Sequence, residues 1–179
     1  MGLHVCLLEP EIHWNTGNTG RTCLGAGATL HLVAPLGFSL DAREVRRSGL
    51  DYWDRVNPRL WESWETFEGA LPGLGEAFFL SPGAPRSIFD VTFPERVVLV
   101  FGRESTGLPE GMRERYKERL LGIPMRDPGL RGLNLSTSVA IAAYEVMRQR
   151  HRSGGAQALV PAPETLRAVG HPVEMQEKE

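Results

Sequence analysis

The stretch Val97-Val98-Leu99-Val100-Phe101-Gly102-Arg103-Glu104-Ser105-Thr106-Gly107-Leu108-Pro109 decides the fold. Five apolar residues without a polar position among them read as a strand covered on both faces, which is the habit of parallel sheets. Gly102 and Gly107 bracket a charged turn. Pro109 can open a helix, because its fixed φ and missing N–H suit the first turn.

The same alternation extends outward in both directions. Leu3–Leu8 is a short apolar run ended by Glu9-Pro10, and Thr29–Ala34 and Ala77–Leu80 are further strands. Asn15–Gly17 reads as a turn, after which a helix is predicted from near Asn18 to about Gly25. Asp41 can cap a helix through Arg47 with Gly49 as its stop, and Trp61–Leu71 is predicted helical. Past Pro109 the pattern gives a helix to about Leu120, a strand over Leu121–Met125 and a long helix over Ser136–Arg150. Strands alternating with helices predict an α/β fold with a mainly parallel sheet and flanking helices. Residues 1–152 form one domain; Ser153–Glu179, rich in Gly, Pro, Gln and charge, reads as a loosely held C-terminal extension.

A chain of 179 residues with 41% hydrophobic content can bury a core without disulfides or structural metal. Cys6 and Cys23 lie at no metal or redox spacing and read as reduced core residues of a cytoplasmic protein. No stretch is apolar enough to span a bilayer, and the start lacks a signal-peptide pattern. Net charge is −2, so charge does not announce a nucleic-acid binder. Of the 20 basic residues, however, only Lys117 and Lys178 are lysines. Arginine forks match phosphate bidentately, although biased composition alone gives the same count.

Ligands of parallel α/β sheets bind outside the carboxyl ends of the strands. Three polar clusters lie there. The first is Glu9-Pro10-Glu11-Ile12-His13-Trp14-Asn15-Thr16-Gly17-Asn18 with Arg21, either a turn plus helix cap or an amide and a guanidinium aimed at one group. The second is the Gly102–Pro109 turn. The third is Ile123-Pro124-Met125, a glycine-containing loop over 126–132, then Asn134-Leu135-Ser136. Asn134 or Ser136 can cap the long helix; two caps are one too many, so a ligand is expected beside them. No GxGxxG, P-loop, nucleophile elbow, HExxH or CxxC pattern is present, and the five histidines are scattered, so no metal is expected.

In order and spacing, the three clusters resemble the SPOUT methyltransferases, and within them the TrmL (YibK) group of tRNA (cytidine/uridine) wobble 2′-O-methyltransferases. The likeness runs from about Leu3 to Arg150 and includes Arg46-Arg47-Ser48-Gly49-Leu50-Asp51-Tyr52. It implies a C-terminal deep trefoil knot, a homodimer, S-adenosyl-L-methionine as cofactor with S-adenosylhomocysteine as product, and tRNA as partner. It places the cofactor on Leu80, Gly102, Ile123, and Gly132 or Leu133, with Asn134 and Ser136 shaping the rim. Arg21 becomes the central catalytic residue. Asn15 would orient the ribose or Arg21, and Glu104 would hold Arg21 or an adjacent loop. Arg131 and Tyr144 match RNA-handling positions, and Arg43, Arg46 and Arg47 could supply a phosphate-binding face. Relatives usually carry proline where this chain has His13-Trp14. Methylation of ribosomal RNA or another tRNA position, and an inert knotted RNA-binding protein, stand as alternatives.

Overall fold

The computed structural model describes residues 2–39 and 52–154. The strands are β1 (Gly2–Leu8), β2 (Thr29–Val33), β3 (Arg59–Trp61), β4 (Glu76–Leu80), β5 (Arg96–Phe101) and β6 (Leu120–Leu121). They form one sheet of order β3-β2-β1-β5-β4-β6 with every pairing parallel. The helices are α1 (His13–Ala26), α2 (Trp53–Val56), α3 (Trp64–Leu74), α4 (Glu110–Arg115) and α5 (Leu135–Arg152). Short 3₁₀ turns occupy Ile88–Asp90 and Lys117–Arg119.

The unbroken apolar run of β5 follows from cover on both faces. Val97, Leu99 and Phe101 point with Val5, Leu7, Phe78 and Leu80 toward Cys23 of α1 and Val139, Ala142, Ala143 and Val146 of α5. Val98 and Val100 point with Cys6, Leu8 and Phe79 toward Phe67 of α3 and Leu108. Ala142 and Ala143 are completely buried, so α5 can lie close to the sheet. Burial pushes the Cys23 thiol up to about 12 and raises the Cys6 thiol well above its ordinary range, which leaves both unreactive.

Four predicted elements need correction. Helix α1 begins at His13, not near Asn18, and its first residues carry no local side-chain cap. The N–H groups of Glu11 and Ile12, just ahead of the helix, are met by a carboxylate from another loop, described below. The predicted helix Trp61–Leu71 becomes the three-residue strand β3 followed by α3, started by a capping box between Ser63 and Thr66. The predicted helix to Leu120 stops at Arg115: Tyr116 stacks on Phe79, with centroids 4.1 Å apart, and bonds Glu68, drawing the chain down to the sheet edge. The predicted strand Leu121–Met125 is only Leu120–Leu121, since Gly122 bridges to Ser87 and Pro124 has no N–H for a ladder. Thr29–Ala34 and Ser136–Arg150 fall within a residue or two of β2 and α5. The predicted helix Asp41–Arg47 lies outside the described residues, as does the extension from residue 155 onward.

A buried polar chain holds the β2–β3 side. The Trp61 indole N–H donates to His31 Nδ1 at 3.0 Å, and His31 Nε2 lies 3.0 Å from His4 Nδ1. An indole only donates, so His31 must be the Nε2–H tautomer and must pass its proton to His4. Neither ring can accept a further proton there without breaking the chain. Burial first, then His4 and Arg59, lowers the His31 pKa from 6.5 to about 3. A depressed histidine pKa stabilises the fold fully above the unfolded value and loses that contribution as pH falls toward the folded one. Unfolding free energy, followed by melting, should therefore drop between pH 6.5 and about 5, above the carboxylate range, with a slope near 1.4 kcal/mol per pH unit for each proton taken up. In His31→Leu that slope should flatten; an unchanged slope would assign it elsewhere.

Candidate active site

The strand register sets the site. Leu7 pairs with Phe101, Phe101 with Leu80, and Leu80 with Leu121, so β1, β5, β4 and β6 end at one level. The loops that follow converge there around a cavity of about 550 Å³. That volume lies within the range of small-molecule and cofactor sites.

The turn after β5 closes on itself through Gly107 N–H to the Arg103 carbonyl, 2.9 Å, and Arg103 N–H to the Gly107 carbonyl, 3.2 Å. A Cβ on Gly102 would sit 2.1 Å from the Gly107 carbonyl carbon, so only glycine permits this closure. The turn presents Glu104 to the start of α1. One carboxylate oxygen accepts from the Glu11 N–H at 2.8 Å; the other accepts from Ile12 N–H at 3.3 Å and Asn15 Nδ2 at 3.0 Å. This is a helix cap supplied from 92 residues away, and it is why α1 starts earlier than its own sequence predicts. The lacing is reciprocal. Glu11 accepts from Ser105 N–H at 2.9 Å and Ser105 Oγ at 2.8 Å, and Arg103 pairs with Glu9.

From Asn15 the relay continues. Because its Nδ2 faces the carboxylate, its Oδ1 must face away, and it accepts from Asn134 Nδ2 at 2.9 Å. Asn134 Oδ1 then accepts from Ser136 N–H at 3.0 Å, Thr137 N–H at 3.3 Å and Ser136 Oγ at 2.8 Å, capping α5. The acceptor-only carboxylate thus fixes both amide orientations, and three separate loops become one braced wall. Glu9 adds a strained element, with φ 49 in a region that costs a side-chain-bearing residue on the order of 1–3 kcal/mol.

Of the expected site residues, Asn15, Glu104, Leu80, Gly102, Ile123, Gly132, Leu133, Asn134 and Arg131 line the cavity. Ser136 stands behind the rim, bonded to Asn134. Glu104 holds the adjacent Glu11–Asn15 segment, the second of its two expected tasks. The structure does not bring Arg21 to this wall. With Asn15 and Arg21 in one continuous helix, six residues turn the direction by about 600° and advance about 9 Å, so the two point to different faces. Arg21 is exposed on α1, its guanidinium 4.5 Å from the Tyr52 ring centroid. Tyr144 is exposed on α5 with its hydroxyl beside Gly25, also away from the cavity. Arg43, Arg46 and Arg47 lie outside the described residues.

Sequence reasoning missed Glu11, Ser105, Arg103 and Arg113. Arg113 lines the cavity from the first turn of α4, and its place four residues after Pro109 was a legible signal. The Glu11–Ser105 and Glu9–Arg103 pairs join residues more than 90 apart, and no local pattern reports them. Among the described residues, no cluster of three His, Cys, Asp or Glu side chains could hold a metal ion.

The comparisons agree with this architecture. The chain is 42% identical over 151 residues to a tRNA (cytidine(34)-2'-O)-methyltransferase of Methylovorus glucosotrophus, covering 84% of this chain and 97% of that protein. It is 41% identical over 155 residues to the protein of that name from Burkholderia ambifaria, covering 86% and 99%. A solved structure described as "Structural insights into the 2-OH methylation of C/U34 on tRNA" superposes with TM-score 0.75 at 44% identity, over 82% of this chain and 89% of that one. An AdoMet-bound rRNA methyltransferase from Sinorhizobium meliloti, at 22% identity and TM-score 0.68 over 82% of this chain and 56% of that one, shares the fold. Residues 2–144 match the SpoU rRNA Methylase family, and the chain belongs to it.

Proposed function

We propose that this chain transfers a methyl group from S-adenosyl-L-methionine to the ribose 2′-hydroxyl of a tRNA, at the wobble nucleotide of the anticodon, leaving S-adenosylhomocysteine. The single observation that carries this reading is the braced cavity at the strand ends. Its lining comes from the loops at the strand ends, its floor includes Leu80, Phe101, Leu121 and Ile123, and glycine at 102 and 132 lets those loops approach one another closely. Apolar floor, polar rim and volume together fit a nucleoside-containing cofactor. Although the family is described by ribosomal RNA, the relatives above 40% identity are described by cytidine 34 of tRNA, which favours the anticodon. An inert RNA binder is disfavoured because it gains nothing from a strained Glu9 and a braced cavity wall.

The cofactor, when bound, supplies an electrophilic sulfonium methyl. The chain's own task is to hold the ribose oxygen in line and help it lose a proton, positioning that can lower the barrier by several kcal/mol. Leu80, Gly102, Ile123, Gly132 and Leu133 hold the cofactor, with Asn134 and Ser136 at the rim. Asn15, fixed between Glu104 and Asn134, orients the ribose. Arg21, which lies outside the cavity lining of its own chain, grips the target phosphate and stabilises the developing oxyanion where the dimer brings it to the reacting ribose, since a guanidinium does not act as a free base. Arg131 and Arg113 at the cavity, and Tyr144, Arg43, Arg46 and Arg47 beyond it, handle the rest of the RNA.

The active form is a cytoplasmic homodimer, residues 1–152 form the methyltransferase unit, and 153–179 are an appended extension. No helix among the described residues is long and apolar enough to cross a membrane. The C-terminal part forms a deep trefoil knot. Support for it comes from residues 122–132 running against residues 82–88, and from Gln149 of α5 bonding the Val91 carbonyl and Phe93 N–H.

Two measurements test this reading. Calorimetry with S-adenosyl-L-methionine in excess chelator should give saturable binding; binding that needs an added divalent ion would contradict it. Mass spectrometry of tRNA from a strain lacking the protein should show one ribose methyl lost from the anticodon loop. A full set of tRNA ribose methyls would exclude the tRNA assignment.

A further inference from the structure

Beside the cavity lies an aromatic cluster that the mechanism does not use, made of exposed His13 and Trp14 and half-buried Phe38. Ile12 and Asn15 line the cavity, and between them His13 and Trp14 face outward, with Trp14 54% exposed. The His13 ring lies 4.6 Å from the Trp14 ring and 6.4 Å from Phe38, centroid to centroid. Phe38 is held in place by its neighbour. Gly37 N–H donates to the Pro10 carbonyl at 2.9 Å, and a Cβ on Gly37 would lie 2.8 Å from the Glu11 backbone. That approach fixes the Phe38 loop against the segment that also carries His13 and Trp14.

Single exposed apolar residues are ordinary on protein surfaces, but three rings in series at the mouth of a cavity are not. Trp14, Asn18 and Arg21 are all exposed and recur at i, i+4 and i+7, which places them on one face of α1. An indole and a guanidinium on one exposed face, with Trp14 beside the cavity-lining Asn15, combine the two contacts that single-stranded nucleic acid takes: base stacking and phosphate pairing. We propose that Trp14, backed by His13 and Phe38, is the stacking platform for an unpaired RNA base next to the nucleotide that enters the cavity. This rests on the RNA methyltransferase reading and adds the base contact that reading lacks.

The test compares wild type, Trp14→Phe, Trp14→Leu and Trp14→Ala for binding to an anticodon stem-loop RNA without cofactor. Each is also tested on the same RNA made abasic beside the target nucleotide. Trp14→Ala should weaken binding about five- to hundredfold, the range for loss of one stacked base. Trp14→Phe should keep most of the affinity and Trp14→Leu little. The abasic RNA should cost wild type about what Trp14→Ala costs, and the two changes together should cost no more than either. Additive losses, or Trp14→Leu equal to Trp14→Phe, would overturn the stacking claim. So would a lower mass for Trp14→Ala in light scattering, which would make this face a contact between two copies. Wild type that binds the RNA with this coupling but transfers no methyl would remove the activity and leave the platform standing. Normal transfer without the coupling would do the reverse.

Discussion

Gly102→Ala is expected to abolish cofactor binding and to lower stability by on the order of 3 kcal/mol, the upper end for overpacking a close-packed site. The added Cβ would sit 2.1 Å from the Gly107 carbonyl carbon and 2.3 Å from Leu108 N, both backbone atoms that no rotamer change can clear. The turn must therefore open. Opening it moves Glu104, and with Glu104 go the cap on α1, the orientation of Asn15 and the seat of Asn134. A cofactor affinity loss beyond a hundredfold corresponds to about 2.7 kcal/mol or more, consistent with losing a whole wall of the cavity. Thermal melting and calorimetry on one preparation check both parts. Affinity within a few-fold of wild type in a destabilised protein would separate the turn from the cofactor seat.

The other large effect is expected at Arg21. Arg21→Ala should fold, bind S-adenosyl-L-methionine normally and lose about a hundredfold or more in single-turnover methyl transfer to tRNA. Arg21→Lys should recover little, because one ammonium cannot reproduce a guanidinium fork on phosphate and ribose. The structure sharpens this test. Arg21 stands on the exposed face of α1, away from the cavity lining, so its loss cannot act by deforming the cofactor wall. Arg21 is exposed but the Tyr52 ring it covers is buried, so this contact contributes between about 0.5 and about 2 kcal/mol, and a melting temperature taken on the same preparation separates a loss of stability from a loss of catalysis. Unchanged turnover in folded Arg21→Ala would take the residue out of the mechanism.

Much of the architecture was legible before any coordinate. The apolar runs of β4 and β5, and that of β1 broken only by His4, announce strands covered on both faces, and their alternation with helices announces a parallel sheet. A parallel sheet in turn places ligands at the carboxyl ends of its strands. The three polar clusters read from sequence are the clusters that surround the cavity, since each follows directly on a strand or enters a helix whose limits local chemistry sets. The Asn134 cap of α5 belongs here too: a side chain that bonds N–H groups two and three residues onward needs no distant partner.

What sequence could not report depends on partners far along the chain. Helix α1 starts at His13 because Glu104 holds the chain just ahead of it, accepting from the N–H groups of Glu11 and Ile12 and from the Asn15 side chain. That shift of one and a half turns decides that Asn15 faces the wall and Arg21 faces outward. The Glu104–Asn15–Asn134 relay spans separations of 89 and 119 residues, and its amide orientations follow from one carboxylate. Short elements such as β3 and β6 owe their existence to neighbouring strands and not to any propensity of two or three residues. Local periodicity and turn chemistry fix which segments become strands and helices, because those energies are summed within a few residues. Where a helix begins, and which of its side chains meet in the site, was decided by tertiary contact, because the hydrogen-bond partners that settle it arrive only when the sheet has brought its strand ends together.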